Sequence, residues 1–234
     1  KGYIITGAEA LCRWFRNDRM IFPGTFIPIL EQSNDICKLD FYLLDHVCRD
    51  IHRWLDEGKP AVRISINLSR RHLIDLDLLD RILSIVDRHR VPHHFIEFEL
   101  TETTTDVEFK DLKRIVTGLQ EAGIYTSVDD FGIGYSSLNL IKEIPWNILK
   151  VDKNFLPLNE QATQNKQNIM FHHVVNMAKE IGLTCVAEGV ETSDQVDILR
   201  KNSCDIAQGF YYDKPLPVRE FEKRLELHVY SDKT

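Results

Sequence analysis

The run Phe95-Ile96-Glu97-Phe98-Glu99-Leu100-Thr101-Glu102 decides the fold. Successive side chains of a strand point to opposite faces. At that period Glu97, Glu99 and Thr101 share one face while Ile96, Phe98 and Leu100 share the other. The same division recurs elsewhere. Val62, Ile64, Ile66 and Leu68 alternate with Arg63, Ser65 and Asn67, and Leu149 and Val151 alternate with Lys150 and Asp152. Strands of a parallel sheet covered by helices on both faces read as apolar on both, and these do not. If helices pack on the apolar face, the polar face is accommodated where the strands curl round a common axis, with their charged groups gathered at one mouth. The alternative is an open sheet with one wet face. It would leave crossover helices only one face to cover.

Outward from this run, short β-rich segments alternate with helical ones, the pattern of consecutive βα units and a parallel sheet. Strands are predicted at Ala61–Asn67, Phe95–Thr101, Ile124–Asp129, Asn147–Asp152, Leu183–Glu188 and Asp205–Gln208, with an earlier one from Tyr3 to Ala10. The clearest helix is Lys38–Glu57, where Leu44, Val47, Cys48, Ile51, Trp54 and Leu55 recur at helical spacing before Gly58 and Pro60. The chain has 234 residues, near the roughly 250 of a (β/α)8 barrel. With no linker or low-complexity tract, residues 1–234 read as one domain, an α/β TIM-like (β/α)8 barrel.

Composition narrows the function. Hydrophobic residues make up 43% and charged residues 28%, with no long apolar run, so a globular protein without membrane contact from this segment is expected. The net charge of −7 disfavours a protein that grips DNA or RNA polymers, since such binding rests on Lys and Arg neutralising phosphates. Five scattered cysteines without a Cys-x-x-Cys pair indicate neither a disulfide framework nor a zinc knuckle. The opening Lys1-Gly2-Tyr3-Ile4-Ile5 does not read as a secretory or transit signal. The expected compartment is the cytoplasm, and the intact protein can be membrane-tethered through regions outside this sequence.

The strand-end residues, in order, are Glu9, Asn67, Glu99, Asp129 with Asp130, Lys150 with Asp152, Glu188 and Gln208. Polar residues at the C-terminal ends of different strands are where such barrels do chemistry. Two unit charges about 4 Å apart repel by roughly 4 kcal/mol at an effective dielectric near 20, so converging carboxylates must take up protons or bind cations. Oxygen donors with no strand-end His or Cys suit Mg²⁺ or Mn²⁺ better than zinc. A pair of such ions is a known device for in-line displacement at phosphorus, and the nearby Arg13 suits a phosphate oxygen. These residues point to metal-assisted phosphoester hydrolysis without naming a substrate. The adjacent pairs His93-His94 and His172-His173 are expected at the surface, and Cys12, Phe131 and Tyr135 in packing roles.

The motifs resemble those of the EAL-domain phosphodiesterases over nearly the whole chain. They run Glu9-Ala10-Leu11-Cys12-Arg13-Trp14, Phe26-Ile27-Pro28 with Glu31, Asn67-Leu68-Ser69 and Glu99-Leu100-Thr101-Glu102. The segment from Asp129-Asp130-Phe131-Gly132 to Ser137-Leu138 follows, then Leu149-Lys150-Val151-Asp152, Ala187-Glu188-Gly189-Val190-Glu191-Thr192 and Gln208-Gly209-Phe210. The resemblance implies cleavage of one phosphodiester of cyclic di-GMP to linear pGpG with two ions of Mg²⁺ or Mn²⁺. It implies that Glu9, Asn67, Glu99 and Asp129 hold one metal and that Asp129 bridges to a second near Asp130. Glu188 would act on the second metal's water shell or as base, and Lys150 would hydrogen-bond the attacking water. Arg13 would contact phosphate, Gln208 would order the site, and Asp152 stands with Lys150 among the catalytic candidates. Glu102 would brace the loop from Asp130 to Ser137, which in the family also helps form a homodimer. An upstream GGDEF or sensory domain is an expected neighbour in the intact protein.

The chain departs from the family pattern in places. Ile133 stands where Thr or Ala is common, and Asn147 where Asp is common. The family's usual first strand, with Tyr-Gln-Pro, has no counterpart here, so about seven strands are expected and the eighth is cut off or supplied by another segment. The competing functions are a receptor that holds the dinucleotide without cutting it, marked by loss of a ligand or of Lys150, and an unrelated barrel enzyme of glycosidase or enolase type. Neither of the latter two predicts the Asp-Asp-Phe-Gly segment.

Overall fold

In the computed structural model, residues 2–101, 106–132, 138–157, 166–227 and 229–230 are described. Glu102, Ile133 and Tyr135 lie outside them. Seven parallel strands form one sheet in the order β10-β9-β8-β7-β6-β5-β2: β2 (Gly7–Ala10), β5 (Arg63–Asn67), β6 (Ile96–Thr101), β7 (Tyr125–Phe131), β8 (Ile148–Val151), β9 (Thr184–Ala187) and β10 (Ile206–Ala207). Apart from β2 to β5, whose connection also carries a hairpin, neighbours in the sheet are consecutive strands joined by crossovers, which is the βα pattern of a barrel wall. The two edges meet through side chains: Gln208, just past β10, donates from Nε2 to Glu9 Oε2 on β2 at 2.8 Å. The sheet is therefore curled into a TIM-like barrel whose seam is bridged at its C-terminal mouth.

The alternation read from the sequence places both strand faces. Ile64, Ile66, Ile96, Phe98, Leu100, Leu149 and Val151 lie buried in the apolar core. This layer is covered by helices α2 (Ile36–Asp56), α3 (Leu78–Arg88), α4 (Asp106–Glu121) and α6 (Lys166–Glu180). The opposite face lines the interior, where the register sets Ser65 beside Glu97 and Asn67 beside Glu99 on one side, and Glu97 beside Tyr125 and Thr101 beside Asp129 on the other. Ser65, Glu97, Glu99 and Lys150 are buried there. Near the N-terminal end the Arg63 guanidinium lies 3.4 Å from the Tyr125 ring centroid and 3.7 Å from a Glu97 oxygen, which fills the barrel beneath the site.

The expected single strand from Tyr3 to Ala10 is two. Tyr3–Ile4 (β1) pairs antiparallel with Val229–Tyr230 (β11), while Gly7–Ala10 enters the barrel beside β5. Ile5 and Thr6 carry the chain from one partner to the other. The Tyr3 ring packs edge-on against Tyr211 and Tyr212, just after β10, so this small ribbon adjoins the segments that flank the seam. A second ribbon, β3 (Trp14–Arg16) with β4 (Arg19–Ile21), follows β2 and leads into α1 (Pro23–Gln32). The remaining helices are α5 (Leu138–Glu143), α7 (Ser193–Lys201) and α8 (Val218–Leu227). Among the described residues no helix is long and apolar enough to cross a membrane.

Candidate active site

Each of these side chains reaches the mouth because it lies in the C-terminal half of a strand or one residue beyond it. Glu9 is on β2, Asn67 ends β5, Glu99 is on β6, Asp129 and Asp130 are on β7, Lys150 is on β8 and Glu188 follows β9. Glu9 is held by both its oxygens, Oε1 accepting from Asn67 Nδ2 at 2.9 Å and Oε2 from Gln208 Nε2 at 2.8 Å. Lys150, 3% exposed, sends Nζ to Glu99 Oε1 at 2.5 Å, Glu188 Oε1 at 2.6 Å and Asp129 Oδ1 at 3.7 Å. Its main partners are thus Glu99 and Glu188, with Asp129 further off.

Asp129 and Asp130 are neighbours, and in a regular strand they would point to opposite faces. The register between β7 and β8 slips between Val128 and Phe131, and Asp130 takes φ of 57°. The extra residue is a β-bulge, a device that re-aims side chains at strand ends. As a result Asp129, Asp130 and Glu188 can bring one carboxylate oxygen each within 4.8 Å of one another. Among the described residues this is the one group of His, Cys, Asp or Glu with metal-site spacing.

Charge is unevenly matched here, with four carboxylates, Glu99, Glu188, Asp129 and Glu9, acting on the Lys150 ammonium. Burial pushes the Glu99 carboxyl up to about 8, with Lys150 opposing and Glu9 and Asp129 adding to the rise. Burial likewise pushes Glu188 up to about 7 against the pull of Lys150. For Lys150 burial opposes the charged form, yet the surrounding Glu99, Glu188, Asp129 and Glu9 hold its pKa well above the ordinary value. The second oxygen of Glu99, Oε2, is buried without a hydrogen-bond partner. A buried carboxylate oxygen left unpaired is unfavourable, and a divalent cation satisfies it. The donor set of carboxylates and the Asn67 amide fits the oxygen-preferring ions Mg²⁺ and Mn²⁺.

Two further candidates sit at the edge of this cluster. Arg13 is half-buried three residues past β2, and its Nη1 donates to Cys12 O at 2.9 Å. Trp14 packs edge-on against Phe26. Burial raises the Cys12 thiol and Arg13 only partly offsets it, which fits packing. Asp152 is buried, and its Oδ1 accepts from the Asn154 backbone N–H at 2.8 Å and from Asn154 Nδ2 at 2.6 Å. It caps the turn Lys153–Phe155. Phe131 packs against Phe155. His93 bridges Ala122 O and Asp87, and His172 bridges Asn202 and Asn176. One residue escaped the sequence reading: Asp40 of α2 interrupts the apolar stripe of Ile36, Leu44, Val47 and Ile51, and that interruption was its signal.

Residues 2–215 match the family model described as EAL domain. The chain is 33% identical over 220 residues to signaling protein YkoW of Bacillus subtilis, covering 94% of this chain and 27% of that protein. It is 35% identical over 216 residues to the bifunctional diguanylate cyclase/cyclic di-GMP phosphodiesterase MucR of Pseudomonas aeruginosa, covering 92% and 31%. A solved structure of PaMucR phosphodiesterase in complex with c-di-GMP is similar with a TM-score of 0.81 and 33% identity, over 91% of this chain and 86% of that one. The chain spans less than a third of the length of both curated relatives.

Proposed function

This chain belongs to the EAL domain family, and from that premise we propose that it hydrolyses one phosphodiester of cyclic di-GMP to linear pGpG with divalent metal. The observation that carries this reading is the buried Lys150 ammonium set between Glu99 and Glu188, beside a Glu99 Oε2 that is buried without a hydrogen-bond partner. A receptor that had lost catalysis would be missing one of these groups. Glu9, Asn67, Glu99, Asp129 and Asp130 would hold two ions, Mg²⁺ or Mn²⁺. When bound, the ions neutralise phosphate charge and make the attacking water more acidic.

The protein's own groups supply the rest. Glu188, with its carboxyl near neutral range, accepts the proton of the attacking water, as a base tuned to its working pH does best. Lys150 donates a hydrogen bond to that water and offsets the surrounding carboxylates. Arg13 grips a non-bridging phosphate oxygen through its planar fork. Asn67 and Gln208 fix Glu9 by holding one oxygen each. Asp152 anchors the turn that follows Lys150. The water oxygen forms the new bond to phosphorus as the bond to the leaving sugar oxygen breaks, and that oxygen takes up the proton that Glu188 received from the water, which returns Glu188 to its carboxylate. Glu102 as a brace of the loop after Asp130, a homodimer, and a GGDEF or sensory domain elsewhere in the intact protein complete the proposal.

The test is to incubate the purified chain with cyclic di-GMP and Mg²⁺ or Mn²⁺ and follow pGpG, alongside Glu9→Ala. The expected result is metal-dependent pGpG from the unaltered chain and none from the variant. Equal rates in both would remove the mechanism.

A further inference from the structure

The chain leaves the sheet abruptly after Asn67. The Leu68 N–H still donates to Glu99 O at 2.9 Å, but the next amide, Ser69 N–H, turns out of the barrel and donates to Asp40 Oδ2 at 2.9 Å. The same carboxylate oxygen accepts from His72 Nε2 at 3.1 Å. His72 ends the short turn Arg70–His72 that Ser69 caps through Oγ and the Arg71 N–H. It is 1% exposed and Asp40 8%, and the Phe41 ring closes edge-on over the imidazole.

A buried carboxylate on an otherwise apolar helix face is unfavourable unless its donors are well placed. Here the two donors lie three residues apart on the turn that follows Asn67. Asp40 thus fastens α2, an element outside the barrel wall, to the segment that aims Asn67 at Glu9. On the other side of this turn, Arg70 reaches across to Thr101 through Oγ1 and the backbone carbonyl. The turn has little freedom left, and the Asn67 amide is delivered with its Nδ2 on Glu9 Oε1.

We infer that Asp40 and His72 are positioning residues for metal binding, acting through the turn after Asn67; this rests on the reading of Asn67 and Glu9 as cation ligands. Groups that orient ligands typically change metal affinity by about 10–100-fold when removed. The test titrates Mn²⁺ into the purified full chain, follows free ion by electron paramagnetic resonance, and records thermal melts of the same samples. Asp40→Leu is expected to weaken Mn²⁺ binding by about 10–100-fold. Asp40→Asn, which keeps an acceptor for Ser69 N–H, is expected to recover most of that loss. Asp45→Ala, on α2 but outside the site, is expected to lower the melting temperature while leaving Mn²⁺ affinity unchanged, which separates positioning from general stability.

Asn67→Ala distinguishes the two ways of failing. If it weakens Mn²⁺ while both Asp40 variants bind as the unaltered chain does, the positioning role is overturned and the metal reading stands. If Asn67→Ala itself leaves Mn²⁺ affinity unchanged, the ligand reading fails and takes the inference with it. Should Asp40→Leu not fold, His72→Gln takes its place: an Mn²⁺ affinity loss supports the role, and unchanged affinity overturns it.

Discussion

Lys150 sits among more negative charge than it can balance, and the metal-free site is therefore strained in a measurable direction. The Glu188 carboxyl is pushed up to about 7 by burial, above its ordinary range near 4.5. The folded chain then binds more protons than the unfolded chain between those values. Stability from this group is present below about pH 4.5 and falls as pH rises through 7. Glu188→Gln removes that penalty. The variant is expected to be more stable than the unaltered chain in EDTA at pH 8 by about 1–3 kcal/mol, read as a higher melt, while turnover with metal falls by about 10²–10⁴; a lower melt at pH 8 would contradict the electrostatic account. Glu9, Glu99, Asp129, Lys150 and Glu188 were legible because strand alternation and the run of strand ends fix where each points. Asp129 and Asp130 were named together as strand-end neighbours, but period two alone would separate them, and what brings both to the mouth is the bulge at Asp130, which the sequence did not reveal. Gly209 carries a second prediction at this scale. Its neighbour Gln208 accepts the Val190 N–H through its backbone carbonyl, and a Cβ on Gly209 would fall 2.2 Å from Val190 O. Backbone cannot yield as a side-chain tip does. Gly209→Ala is expected to destabilise by about 1–3 kcal/mol and to loosen the Gln208 contact with Glu9, read as a lower melt together with weaker Mn²⁺ binding.

Helices and strands were readable where burial imposes a period. The stripe read over Lys38–Glu57 appears as α2 at Ile36–Asp56, and each barrel strand after β2 falls within two residues of its expected bounds. Tyr3–Ala10 misled because its apolar residues serve two partners, β11 and β5, and nothing local marks the change. Asp40 was passed over for a related reason, since a helical stripe read from apolar residues skips the polar residue within it. Charge also ties elements together at Asp45 of α2, which accepts from Arg49 at 2.5 Å, from Arg88 at 2.6 Å and from His89 Nε2 at 2.8 Å. Its carboxyl lies below the usual range, chiefly through the His89 hydrogen bond, with Arg88 adding to it. With the folded pKa depressed, this stabilisation is present above the unfolded value near 4 and is lost as pH falls through the folded one. Asp45→Ala is expected to remove about 1–2 kcal/mol at pH 7 and progressively less below about pH 4. Urea midpoints of the variant and the unaltered chain measured from pH 3 to 7 check this, and a constant gap across that range would exclude Asp45 ionisation as its source.

At the scale of the whole molecule, the barrel is closed at its mouth by polar contacts rather than by a continuous ladder. Gln208 and Asn67 both converge on Glu9, so the first strand of the sheet is tied to its neighbour and, across the seam, to the last. The proposed ligands Glu9, Asn67, Glu99, Asp129 and Asp130 come from four strands spread between β2 and β7. A cation held by them joins segments that separate on unfolding, and its binding energy becomes folding energy. At about 100 times its Kd, Mg²⁺ or Mn²⁺ is expected to add about 2.7 kcal/mol, a rise in melting temperature of roughly 5–11 °C for a domain of this size. The rise must itself depend on pH. Glu99, at about 8, and Glu188, at about 7, carry protons in much of the metal-free population at pH 6, and the cation must displace them. Affinity is therefore expected to increase by at least about tenfold from pH 6 to pH 8, with protons released on binding. Calorimetry in buffers of different ionisation enthalpy counts those protons directly, and a melt series at equal ionic strength in KCl separates specific binding from screening. Glu9→Ala should lose most of the metal-dependent rise at both pH values. A rise of equal size at pH 6 and pH 8, or one reproduced by KCl, would mean that the cations act elsewhere than among these carboxylates.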